Sequence, residues 1–539
     1  MAKIELLLPV ALRQEIHDEQ GIALIASYLR ENGHEVSMHA VSSSEEQLAG
    51  IKWSEYDLVG ITSYHHTLSL TYEIAEYIKK TSQKTAICIG GYSATYYYKE
   101  ILENCPYIDF IMAREGELTF LDICNRIDQG IEYWDVQGIV YRKDGQIIAN
   151  EDRECIKDLN ALPFAAKDIY RANHLRLIQI STSRGCTNNC SFCYSHTYFD
   201  PKIKWRGRSV ENVHEEVKKI VNEDEFSAIY FNNASFEDSL PPFDFAKRFS
   251  AAIIESGLDI SYCVNFRANF YRFCDDEFIE NLKKSGLVGV FLGIEAFNEH
   301  DLKVYNKHTS VKDNLESIAF FDKHGIGLDI GFINFNPYST WESLRENEKH
   351  LYATGYLASL DFVSSLRAYR GTAICKRLEE EGHLRESNLD YRNYEFLTPG
   401  VGELLDFIKS LFVGEYAAIL GTMHDYVMYH NQLYTHLKHV CRKNESFIEI
   451  VEQYNAGRKG ILRECGEYCH FWYSKLLDIG EEGWNEEKAR RFVDEEKVLE
   501  KMAEFDQRLK QEYFRFIRKA RKIDKEVVEK LLLYAVSNI

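Results

Sequence analysis

At 539 residues the chain is too long for one ordinary core, so roughly two to four domains are expected. Its 45% hydrophobic and 27% charged content is that of a soluble globular protein, and its net charge of −20 argues against a nucleic-acid backbone or an anionic membrane as main partner. Thirteen cysteines, an odd count, argue against a secreted disulfide framework and fit a reducing cytoplasm.

No secretory signal and no apolar run of membrane-spanning length stand out, so a cytoplasmic protein with no membrane partner is expected. From the start, Ile4 to Val10 reads as a buried strand and Gly21 to Arg30 as a helix closed by Asn32-Gly33. Strands follow at His34 to Val41, Asp57 to Ser63, Thr85 to Gly90 and Asp109 to Ala113, with a helix over about Leu68 to Lys80. This alternation predicts a doubly wound, Rossmann-like parallel α/β domain that binds ligands at its strand carboxyl ends. The candidate ligand loops are 9–21, 63–66, 90–93 and 115–117, and with no GxGxxG a dinucleotide is not supported. Gly90-Gly91 allows close backbone approach to a ligand, although it is equally an ordinary tight turn. Gly138 to Ala149 reads as a β-hairpin turning at Asp144-Gly145, and Leu159 to Phe164 as a linker.

The central feature is Cys186-Thr-Asn-Asn-Cys190-Ser-Phe-Cys193, a CxxxCxxC loop. It follows a strand-like run, Leu177 to Thr182, and an expected turn at Ser183-Arg184-Gly185. Thiolates on one loop suit an iron–sulfur cluster or zinc, the latter with a further ligand such as His196. Three cysteines leave one position of a four-ligand site open. Strands and helices then alternate: Ala228 to Phe231, Ile260 to Asn265, Val288 to Ile294, Gly327 to Ile333 and Asp361 to Leu366 are the expected strands. With the run before Cys186 these make a partial (β/α)6 TIM-type barrel, active at its strand carboxyl ends. Polar residues recur there: Asn232, Asn233, Arg267, Glu295, Asn334, Asn336 and Arg370. Each taken singly is a structural cap or salt bridge, but their recurrence at one end favours a polar ligand. Arg206 and Arg208 are candidates for binding a substrate carboxylate, with use as surface or structural charges the favoured expectation.

From about Tyr394 the pattern is helical, over Glu403 to Phe412, His424 to His439, Phe447 to Tyr454, Gly460 to Leu477 and Lys497 to Ala520. Cys465 and Cys469 share one helical face, as buried structural thiols, as a hydrogen-atom donor, or as the start of a second metal site with Cys441 or His470.

The cysteine loop resembles that of the radical S-adenosylmethionine (SAM) superfamily. The resemblance implies that Cys186, Cys190 and Cys193 hold a 4Fe-4S cluster whose open iron chelates SAM. It places Phe192 beside the adenine, and Asn232 and Asn233 near the methionine end, where relatives often carry aspartates. Arg267, Glu295 and Asn334 become SAM-contact candidates. Gly293-Ile-Glu295 with Tyr305 to Thr309 resembles the family's fourth-strand segment. The N-terminal domain resembles the cobalamin-binding domain of the cobalamin-dependent class, on the helix Gly21 to Leu29, Asn32 to Val36, Gly90-Gly91 and Glu115-Gly-Glu117. This implies cobalamin, with Tyr64, Gly90, Gly91 and Glu115 as contacts. The DxHxxG of classical domains is broken here as Glu15-Ile-His17-Asp-Glu-Gln-Gly21, so His17 is either a cobalt ligand or a loop histidine, with Tyr64, His65 and His66 as other lower-face candidates.

The expected domains are 1–150 (cobalamin-binding, ending in the hairpin), 151–170 (linker), 171–385 (barrel) and 386–539 (all-helical). The implied activity is methylation of an unactivated carbon of a natural-product or peptide substrate by way of a 5′-deoxyadenosyl radical and methylcobalamin. The alternative is a non-methylating rearrangement, cyclisation, oxidation or epimerisation on the same scaffold. An external one-electron reductant and a monomeric state are expected.

Overall fold

Strand β1 (Lys3–Pro9) is buried on both faces after its first residue, as the central strand of a covered parallel sheet must be. The computed structural model describes residues 1–10, 20–42, 45–173, 177–199, 202–223, 228–237, 243–385, 394–525 and 527–528. β2 (Glu35–Val41), β3 (Leu58–Thr62), β4 (Ala86–Gly90) and β5 (Phe110–Met112) complete the parallel set, in the order β2-β1-β3-β4-β5. The five strands expected from sequence are thus present. The expected hairpin, β6 (Ile139–Lys143) and β7 (Gln146–Ala149), goes further and extends this sheet antiparallel from β5. Its turn residues Asp144 and Gly145 have φ of 52° and 77°, the left-handed pair that matches strand twist. The strand order changes direction between β1 and β3, so a crevice opens at their carboxyl ends.

The chain divides into two units. The first comprises Met1–Thr187, Tyr194–Phe226 and Asn232–Ala234; the second comprises Asn188–Cys193, Ser227–Phe231 and Ser235–Ile539. After the seven-stranded sheet, the first unit holds β8 (Leu177–Ile180), and β9 (Ser183–Gly185) paired antiparallel with β10 (Trp205–Gly207). Ser183 to Gly185 is therefore a strand and not the expected turn. Three residues carry no readable alternation, and their partner lies some twenty residues on.

The second unit is built on parallel strands β11 (Ala228–Phe231), β12 (Tyr262–Arg267), β13 (Leu287–Glu295) and β14 (Gly327–Phe332), in that order. The expected sixth barrel strand over 361–366 is reduced to a 3-10 turn, Asp361–Val363, and a single parallel bridge between Phe335 and Ser365. Leu360 enters that turn at φ 64°, which bends the chain out of extended geometry before pairing can propagate.

The C-terminal region is helical, as expected, with two corrections. The helix expected over 424–439 is two, Ala417–Val427 and Tyr429–Val440, separated at Met428. The two expected over 447–454 and 460–477 are one, Glu445–Glu481. Gly457 and Gly460 weaken such a helix by about 1 kcal/mol each, but packing along Val498–Ile523 offsets this; Gly457 leaves room for the Glu512 side chain. Cys465 and Cys469 lie fully buried with sulfurs 3.9 Å apart, and Cys469 meets the Met502 sulfur at 3.9 Å.

Among the described residues, no helix is long and apolar enough to cross a membrane. The turn at Asp361 is tied to the helical region by His424, whose Nδ1 lies 2.9 Å from Asp361 Oδ1. Burial opposes charge on His424, but Asp361, aided by Asp329 and Asp425, raises its pKa to about 9. A raised histidine stabilises below its unfolded value of about 6.5 and loses that contribution as pH climbs through about 9. Burial also raises Asp329 to about 6 and Asp425 to about 7, so both are ionised for most of that climb. Unfolding free energy is expected to fall by about 2 kcal/mol between roughly pH 7 and 10. His424→Gln should flatten that slope in denaturant titrations.

Candidate active site

In the first unit, the crevice at the carboxyl ends of β1, β3, β4 and β5 is a cleft of about 390 Å³. Tyr64, Gly90, Gly91, Glu115, Asn232 and Asn233 all line it, so four cobalamin candidates and two SAM candidates share one cavity. Of the lower-face candidates Tyr64, His65 and His66, Tyr64 belongs to the lining; the rings of His65 and His66 pack on Tyr97 and Tyr64. His17 lies outside the described residues.

Gly91 shows why glycine is needed here. Its φ is 103°, and a Cβ would meet the Ser63 carbonyl oxygen at 3.1 Å. The same cleft has an aromatic wall absent from the sequence reading. The Tyr92 ring lies 4.2 Å from that of Tyr194 and 6.1 Å from that of Tyr198. Tyr198 donates to the Arg114 carbonyl, and Arg114 donates back to the Thr197 and Tyr198 carbonyls. The signal was present: Tyr194 and Tyr198 are four apart, right after the cysteine motif.

In the lining of the cleft, Arg184, Glu115 and Glu117 belong to a buried ionic cluster that sequence reasoning also missed. Arg184 pairs with Glu115 at 2.8 Å and with Glu117, and Arg206 pairs with Glu115 at 2.7 Å. Glu115 also accepts the Ile156 amide at 2.8 Å, so both its oxygens are engaged by protein donors. Burial would raise the Glu115 pKa, but the two guanidinium groups outweigh it and hold the carboxyl below its usual value. Arg206 is thus structural, not surface. Arg208 likewise pairs with Glu216 at 2.6 Å. Asn232 accepts from Ser181 Oγ at 2.7 Å and donates to Gln179 at 2.7 Å, which ties it to the strand leading to the cysteine loop.

Cys186 belongs to the first unit, where its amide donates to the Lys204 carbonyl at 2.8 Å. Gly185 before it has φ 82°, and any Cβ there would strike that carbonyl oxygen at 2.1 Å. Cys190 and Cys193 belong to the second unit. There residues 189–191 are stitched to the segment after β13. Ser191 donates to the Tyr305 and Val304 carbonyls, Asn306 donates to the Asn189 carbonyl, and His308 meets Asn189 Oδ1 at 2.9 Å. Phe192 stands edge-on to Tyr305 with centroids 5.6 Å apart.

Glu295 ends β13 at a register shift with φ 65°, a strained conformation for a non-glycine residue. Its carboxylate pairs with buried Lys307 at 3.2 Å. Burial raises the Cys190 thiol pKa, while the Lys307 ammonium pulls it down. Arg267 pairs with Glu237 at 3.0 Å. Asn334 stands apart from these. It is fully buried, donating to the Phe362 carbonyl and the Tyr473 hydroxyl and accepting from Asn347. Its amide is satisfied within the protein.

Thiol donors on one loop suit a soft iron site, and the glycine-lined crevice walled by aromatics suits a large flat ligand. Residues 8–123 match the B12-binding domain family, and residues 180–347 match the radical SAM superfamily. The chain belongs to the cobalamin-binding radical SAM enzymes. Its cofactors are cobalamin, SAM and a 4Fe-4S cluster. This radical SAM enzyme is 28% identical over 340 residues to an uncharacterized methyltransferase of Pyrococcus horikoshii, covering 61% of this chain and 72% of that protein. It is 26% identical over 414 residues to the anaerobic magnesium-protoporphyrin IX monomethyl ester cyclase of Rubrivivax gelatinosus, covering 72% of each. The fold is similar to that of the cobalamin-dependent SAM radical enzyme OxsB, solved with aqua-cobalamin and SAM bound. The TM-score is 0.67 at 18% identity, with 98% of this chain and 81% of that chain covered. That coverage takes in the helical C-terminal region.

Proposed function

We propose that this radical SAM enzyme is a methyltransferase acting on an unactivated carbon of a small-molecule or peptide substrate. The observation that carries this reading is the shared cleft of the first unit: candidate residues for both cobalamin and SAM line one cavity. When bound, the reduced cluster and SAM supply a radical that removes hydrogen, and cobalamin supplies the methyl group. An external one-electron reductant starts the reaction.

The chain's own residues position and protect. Cys186, Cys190 and Cys193 hold the cluster, and the bonds from Ser191 and Asn306 fix the loop that carries them. Phe192, held edge-on by Tyr305, flanks the adenine. Glu295 with Lys307 makes a polar contact to SAM, while Arg267 and Asn334 act through the residues they hold in place. Asn232 and Asn233 face the methionine end. Tyr64, Gly90 and Gly91 contact cobalamin; Glu115 supports that floor through its two arginines. The tyrosine wall keeps water from the reacting atoms. Domain limits of 1–150, 151–170, 171–385 and 386–539 are the working division.

Gly91→Ala is expected to cost about 1–2 kcal/mol in backbone strain. It should also lower cobalamin retention at least about tenfold, read as cobalt per chain after gel filtration.

The function itself is tested with SAM labelled in its methyl carbon, reduced enzyme and a fractionated small-molecule extract. Label in a product, with both S-adenosylhomocysteine and 5′-deoxyadenosine formed, supports methylation. The match to the cyclase favours one second reading, a non-methylating oxidative or ring-forming reaction. In that case 5′-deoxyadenosine accumulates, the label is released only in methionine, and none enters the product.

A further inference from the structure

The second unit contains another cavity, of about 590 Å³, at the amino-terminal end of β14, away from the strand ends just described. That volume is in the range of small-molecule sites. Helix Glu445–Glu481 forms one wall, with Arg458, Lys459, Leu462 and Arg463 along it. Gly466 of the same helix also lines the cavity.

Arg458 is the unusual residue. It is 1% exposed, yet its guanidinium is surrounded by neutral groups. It donates to the Tyr426 carbonyl and, at 2.7 Å each, to Asn431 Oδ1 and Asn455 Oδ1. Its Nε has no hydrogen-bond partner among the described residues. The ionisable groups that act on it electrostatically are the tyrosines Tyr454, Tyr356 and Tyr434, and burial lowers its pKa below the usual arginine range. A buried cation without an anion is expensive unless something pairs with it. The other charges at the cavity are Lys459 and Arg463 against Asp322 and Glu467, so the lining carries a net positive charge.

We propose that this cavity binds a small organic oxyanion, a carboxylate or a phosphate monoester, with the anionic group on Arg458 and its body against Tyr356 and Leu462. The planar guanidinium suits both kinds of oxyanion. Lys459 and Arg463, at the exposed edge, attract the anion and set the salt dependence of binding. None of the lining residues is among those assigned to the cofactors, and the proposal does not rest on the methyltransferase reading.

The test is calorimetric titration of the anaerobically purified holoenzyme with inorganic phosphate, phenyl phosphate and benzoate at constant ionic strength. Saturable binding is expected, tighter by about tenfold for phenyl phosphate or benzoate than for phosphate; the tighter of the two identifies the oxyanion class. Arg458→Met should weaken binding about a hundredfold. The double variant Lys459→Ala/Arg463→Ala, altered only at exposed positions, should bind several-fold more weakly with a shallower salt dependence. The proposal is overturned if no probe binds the wild-type enzyme, or if Arg458→Met binds as wild type does. Should Arg458→Met not fold, unchanged affinity and salt slope in the double variant overturn it.

Discussion

Cys190→Ala is expected to abolish reductive cleavage of SAM, a loss of at least about a thousandfold in 5′-deoxyadenosine formation. The cluster has three candidate protein ligands on one loop, and removing one leaves an iron without its thiolate. The loop should otherwise keep its shape. Ser191 and Asn189 are held by bonds to residues 304–308, and the Ser191 carbonyl accepts the Ile374 amide at 2.9 Å. Stability should therefore change by only about 1 kcal/mol. Iron content measured beside the melting curve separates loss of the cluster from loss of the fold. Full activity in Cys190→Ala would exclude the cluster assignment.

The second large effect is expected on stability. Glu115→Ala removes the carboxylate shared by Arg184 and Arg206, and both guanidinium groups are buried. Leaving buried charge unpaired costs about 3–5 kcal/mol. Deleting the whole group costs less, so Glu115→Ala combined with Arg206→Met should recover part of the loss in a double-mutant cycle. The pH dependence follows from the depressed carboxyl. Its stabilisation is present above the ordinary value of 4.5 and is lost as pH falls through the lower folded value. Wild type should thus lose stability on acidification below about pH 4.5, with a smaller loss in Glu115→Ala. The cluster also carries a chemical consequence. Arg184 lies in β9, two residues before Cys186, so Glu115→Ala should lower iron loading even where the protein remains folded. Purified Glu115→Ala with native stability and full iron would contradict this account of the cluster.

Much of this was legible in the sequence because periodic burial leaves a pattern. Five parallel strands followed from apolar runs, and the glycine pair at the end of β4 marked a crevice that the structure contains. The cysteine spacing located the loop, and its setting located the polar strand ends. What could not be read was pairing across sequence distance. A three-residue strand such as β9 has no alternation of its own, and its partner β10 is found only through register. For the same reason residues 115–117 read as a ligand loop, and Arg206 could not be resolved between a surface and a structural charge. Only the fold shows that they neutralise one another out of water. Local signals also misled where tertiary packing overrides them. The segments read as two helices over 447–454 and 460–477 are one, because the chain there packs along Val498–Ile523, with Glu512 filling the space beside Gly457. Arg458 illustrates the opposite limit: nothing in its sequence context distinguishes a buried cation from one of many helix-surface charges.

The most direct test of the cobalamin-dependent account is the metal content and visible spectrum of protein purified without oxygen from cells supplied with cobalamin. The account predicts about four irons and one cobalt per chain, with a cobalamin spectrum that survives gel filtration. Iron without cobalt, after reconstitution with both, would contradict it and leave the glycine-lined crevice without its proposed occupant.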